Sequence, residues 1–115
     1  MKSGLNLFLA SGVLSLMIAG PAWADPLSAA DIRKLAPATY RVSVADSVKA
    51  TVILKSGGGI SVATNKGERD TGRWSVAGDK ICVQFRHLLD HKPHCSYLRT
   101  ENGVVHGDGF SARRN

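Results

Sequence analysis

Val48-Lys-Ala-Thr-Val-Ile-Leu-Lys-Ser-Gly-Gly-Gly-Ile-Ser-Val-Ala-Thr64 decides the fold. Val48, Ala50, Val52 and Leu54 alternate with Lys49, Thr51 and Lys55, interrupted only by the apolar Ile53, and Ile60, Val62 and Thr64 resume the same period. Side chains of a strand point alternately to opposite faces, so a period of two marks two half-buried strands. Ser56-Gly57-Gly58-Gly59 lies between them and supplies residues free to take positive φ, as a tight hairpin turn requires.

The pattern continues downstream. After a second turn at Asn65-Lys66-Gly67, Trp74 and Val76 face one way and Arg73 and Ser75 the other. Ala77-Gly78-Asp79 then turns the chain into Ile81, Val83 and Phe85. Trp74, Val76, Ile81, Val83 and Phe85 are therefore the predicted core, with Cys82, Gln84 and Arg86 on the opposite face. Cys95 to Thr100 and Val104 to His106 flank Asn102-Gly103, a strong hairpin signal, and the polar end Ser111 to Asn115 is expected to fray.

Upstream, Leu27 to Leu35 has the marks of a helix: Ser28 as N-cap, Asp31 near the positive end of the dipole, and Leu27 and Ile32 spaced as a hydrophobic staple, with Pro37 as the stop. The expected fold is mostly β. It is a six- to seven-stranded antiparallel meander, curled into a small barrel or sandwich, with one short N-terminal helix over an open end or edge.

Residues 1 to 24 read as a cleaved signal peptide, with Lys2 as the positive region, an apolar stretch from Leu5 to Ile18 and Ala22-Trp23-Ala24 as the cleavage site. Asn6, Ser11, Gly12 and Ser15 break that stretch, which falls short of the ~20 apolar residues of a membrane span. Removing 24 of the 115 residues leaves one domain, 25 to 115, in which 14 of the 15 basic residues and all 9 acidic ones remain. The expected location is periplasmic or secreted. A chain this short buries only about 60% of its unfolded surface, and a covalent staple compensates for the thin core. Cys82 and Cys95 are the only cysteines, and a structural disulfide between them is expected in an oxidising compartment. With Cys82 off the core row, that bridge is expected to tie the segment from His87 to His94 down over the second face.

Leu27-Ser-Ala-Ala-Asp-Ile-Arg-Lys-Leu35, a Gly-rich hairpin, Gly72-Arg-Trp-Ser-Val-Ala-Gly-Asp-Lys-Ile-Cys82-Val and His94-Cys95-Ser-Tyr97 follow one another in an order that resembles a class of small exported alphaproteobacterial proteins. These share a "G-x-W-x-v-x-g-D-x-l-C" segment and a second cysteine after a loop. The resemblance implies a periplasmic location and carries over no catalytic residue, since its motifs are turn glycines, a core tryptophan and a disulfide. More distantly the chain is similar to small β-barrel inhibitors of secreted proteases and lysozymes.

Three groups of residues invite chemistry. Asp70-Thr71-Gly72 matches the aspartic protease triplet, but Arg69 and Arg73 beside it favour an ionised carboxylate where that chemistry needs a shared proton, so a turn before the Trp74 strand is expected instead. His87, His91 and His94 lie close together and suit copper or zinc, although Pro93 stops any helix from reaching His94. With Asp90 and Lys92 the same histidines, His87, His91 and His94, make a candidate interaction loop. The excess positive charge is spread over nearly every strand and turn, which suits an anionic surface or an acidic envelope protein; with few aromatics, nucleic-acid binding is not expected.

The function expected from the sequence is an exported, non-enzymatic binding or accessory module of the bacterial envelope. The alternatives are an inhibitor of a secreted or periplasmic hydrolase, and a periplasmic metal binder using the loop histidines. No cofactor is expected outside that copper or zinc alternative.

Overall fold

A computed structural model describes residues 25–45 and 47–115. The leader therefore lies outside the described residues. After α1 (Ala29–Arg33) come nine strands: β1 (Ala38–Ala45), β2 (Val48–Leu54), β3 (Gly59–Thr64), β4 (Arg69–Ala77), β5 (Lys80–Phe85), β6 (His94–Tyr97), β7 (Arg99–Glu101), β8 (Val104–Gly107) and β9 (Phe110–Arg114). They form one antiparallel sheet in the order β6-β5-β4-β3-β2-β1-β9-β8-β7, nearly closed into a barrel.

The opening hairpin is as the alternation dictates, with Val52 opposite Val62 and Leu54 opposite Ile60. Partners across an antiparallel pair share a face, so one continuous inner row runs around the sheet: Ala112, Val42 and Ala50 at one level, Tyr40, Val52, Val62 and Asp70 at the next. Trp74 lies opposite Val83 and Val76 opposite Ile81, which places all five predicted core residues on this inner face. The Trp74 indole N–H donates to the Lys55 carbonyl at 2.8 Å and so ties down the glycine-rich turn. Gly72 pairs with Phe85, and a Cβ there would run into the Gln84 and Phe85 backbone; only glycine lets β4 and β5 approach so closely.

Nine strands are present where six or seven were expected, two beyond the upper number. β6 and β7 are separated only by Leu98, run in the same direction, and lie at opposite edges of the sheet, one paired with β5 and the other with β8. They are in effect one bent strand that carries the chain across the seam, and Leu98, 2% exposed, sits at the bend. The second addition is the C-terminus. Phe110–Arg114 does not fray; β9 pairs with both β1 and β8, because Phe110 and Ala112 supply inward apolar side chains and its backbone completes two ladders. Asn102 and Gly103 turn β7 into β8 with positive φ at both residues, as Asn-Gly predicts.

The helix closes one end of the barrel. The Ser28 hydroxyl accepts from the Asp31 N–H, and Ile32, fully buried, packs with Leu27 and Leu35 on the core. Ala29 N–H donates to the Asp79 carboxylate, Leu27 N–H to the Leu98 carbonyl, and the Tyr40 hydroxyl to the Leu35 carbonyl. A five-residue helix is unstable alone, and these contacts hold it in place. No described helix is long and apolar enough to cross a membrane.

Candidate functional site

The inner row does not fill the barrel. Val42, Ala50, Val52, Val83, Val105 and Phe110 all face inward, yet each is only half-buried, because they line a cavity of about 450 Å3. Interiors normally pack to crystal-like density with few voids larger than a water molecule, so an opening of this size is a distinct feature of the fold. Its wall is almost entirely apolar. Val44 and Val48 from the adjoining ends of β1 and β2, Leu88 and Leu89 from the segment before β6, and the polar Glu68, His94 and Asp108 reach it at the end away from α1. Val44 and Leu89 are exposed, 52% and 47%, and form an apolar rim.

The histidine segment forms part of that rim. Cys82 and Cys95 are cross-strand partners of β5 and β6, bridged with their Cα atoms 4.0 Å apart. Residues 86–93 are therefore the end of a hairpin rather than a strap drawn over the outer face, since direct strand pairing leaves the loop to project beyond the strand ends. Leu88–His91 makes one tight turn in which Leu89, Asp90 and His91 all have φ near +57°. Left-handed backbone costs about 1–2 kcal/mol per non-glycine residue, so the surroundings must impose it.

Asp70 is the main constraint. It lies within β4, not in a turn, and faces inward in phase with Trp74 and Val76; it is 8% exposed. One carboxylate oxygen accepts from both the His87 and Leu88 N–H groups at 2.8 Å, and the other accepts from Thr71 N–H. Burial pushes the Asp70 carboxyl up, but the N–H groups of Leu88, His87 and Thr71, with the charge of His87, more than offset it, and its pKa is lowered. The flanking arginines point outward from the strand, so backbone donors rather than Arg69 and Arg73 keep Asp70 ionised. Gln84 donates to the His91 carbonyl, His91 Nδ1 bonds the Phe85 carbonyl and His94 Nε2 the Leu89 carbonyl, which fixes the remainder of the loop.

His87, His91 and His94 are all exposed, as are Asp90 and Lys92. Two of the three rings bond backbone carbonyls, and among the described residues no group of three or more His, Cys, Asp or Glu side chains is placed to hold a metal ion. The sequence reading missed Asp70 as an anchor, although its spacing of four from Trp74 and six from Val76 already put it in the inward phase. An open-mouthed antiparallel barrel with an apolar interior is what fold and site define. Against protein-family models, curated proteins and solved structures, the chain has no match.

Proposed function

We propose that this chain is an exported, non-enzymatic binding module of the envelope that holds one small apolar molecule inside its barrel. The cavity of about 450 Å3 carries the reading. It falls within the roughly 300–1,000 Å3 of small-molecule sites, and barrels of about eight strands have room for one small ligand. The leader and the resemblance to small exported proteins support export to the periplasm, and the Cys82–Cys95 bridge suits that compartment. Titration with the neutral dye N-phenyl-1-naphthylamine tests the proposal. Saturable fluorescence enhancement at one dye per chain, displaced by a long-chain alcohol, is expected; unsaturable or absent enhancement overturns it.

One observation favours a second reading, inhibition of a hydrolase. The loop bearing exposed Leu89 is held in left-handed backbone on a disulfide-bridged hairpin, as a rigid element inserted into a target cleft would be. Inhibition of a lysozyme or protease panel, lost on Leu89→Asp, would support this reading in place of the first.

A further inference from the structure

Positive charge that is scattered in the sequence is sorted by the sheet onto faces. Val42 and Ala50 pack inward, so their neighbours Arg41, Ser43, Lys49 and Thr51 face outward, as does Arg113 opposite Arg41. With Asn65 these residues line an outer groove of about 760 Å3 across β9, β1, β2 and β3. Among the outward residues of these four strands there is no carboxylate.

Arg41 and Arg113 are directly opposed, which places their Cβ atoms about 4.5–5.5 Å apart, and Lys49 is a diagonal neighbour of Arg41 at about 7–8 Å. Like charges so placed destabilise a sheet, and an anion between them reverses the sign of that interaction. Beside the cations the groove offers the hydroxyls of Ser43, Thr51, Thr64 and Ser111 and the Asn65 amide, over a floor of small apolar residues, Ala63 and Val104 among them. Single-stranded nucleic acid needs aromatic platforms for its bases, and none lines the groove. A bilayer needs large apolar side chains to insert, and a protein partner needs a large buried anchor; the apolar residues of this groove are only alanines and valines. Guanidinium groups for acidic substituents beside hydroxyls and amides for sugar hydroxyls are the complement of one ligand class.

We propose that the outer groove of β9, β1, β2 and β3 binds an anionic polysaccharide, its acidic groups held by Arg41, Arg113 and Lys49. The site is separate from the barrel interior, so dye uptake and groove binding succeed or fail independently. The test is calorimetric titration with size-defined polygalacturonate oligomers at 50 mM salt, with neutral dextran, phosphatidylglycerol vesicles and single-stranded DNA as comparisons. Arg41→Gln with Arg113→Gln is set against Arg73→Gln with Arg86→Gln, which removes the same charge from the exposed opposite wall. Binding to polygalacturonate alone, weakened at least tenfold by the first pair and less than twofold by the second, is expected. Equal losses in the two double variants, no binding at low salt, or tighter binding to vesicles or DNA overturns the assignment.

Discussion

Replacing Ala50 by leucine separates an open interior from a filled one by the sign of its effect. Ala50 faces inward between Val42 and Thr64 and lines the cavity. Leucine adds three carbons, which at about 0.8 kcal/mol per buried CH2 gives an upper value of about 2.4 kcal/mol. Restricting the new side chain costs about 0.5–1 kcal/mol, leaving a gain of about 1.5 kcal/mol. For a domain of this size that corresponds to a rise in Tm of about 6–12 °C. A packed interior would respond in the opposite direction, since forcing methylenes into a full core costs about 1–3 kcal/mol. Thermal melts by circular dichroism, with Thr51→Leu on the outer face as control, read the difference. Ala50→Leu should also weaken N-phenyl-1-naphthylamine binding at least fivefold by occupying its site. A fall in Tm for Ala50→Leu, with Thr51→Leu unchanged, would refute the open interior and the proposed binding of a small apolar molecule together.

Two further outcomes follow from the loop and its staple. Cys82→Ser with Cys95→Ser releases a loop closed over a sequence separation of 13 and should cost about 3 kcal/mol on chain-entropy grounds, measured as a lower urea midpoint with a slope that is steeper if anything, since the unfolded chain expands. The folded-state pKa of Asp70 lies below its ordinary 3.8, so ionised Asp70 stabilises the fold fully above that value and progressively less as pH falls through the folded pKa. Asp70→Asn should therefore melt lower than the parent at neutral pH and lose less stability between pH 5 and 2; parallel pH profiles for the two proteins would remove Asp70 as the anchor of the loop.

Much of the strand content was legible because period-two alternation and turn glycines are local. Val48–Thr64, the Trp74 and Phe85 rows, the Asn102-Gly103 turn and the Ser28 cap all rest on residues within a few positions of one another. The errors fall where distant segments meet. Ser111 to Asn115 reads as a polar tail until β1 and β8 offer ladders on both sides of Ser111, Ala112 and Arg113. The run from Cys95 to Thr100 reads as one strand, and only closure of the barrel forces it to change partners at Leu98. Asp70 reads as flanked by arginines; folding turns both away and brings three backbone N–H groups to it.

An antiparallel β domain, the inward rows of β2 to β5 apart from Asp70, a short capped helix and a pair of cysteines available for a bridge could all be read from the residues, since each depends on side-chain alternation or local backbone preference. Only three-dimensional packing leaves a cavity between the inner residues, brings Leu89 and His94 to its mouth, and gathers Arg41, Lys49 and Arg113 in one groove. Enclosed volume and the grouping of charge depend on how nine strands curve and register against one another, and no single segment contains that information.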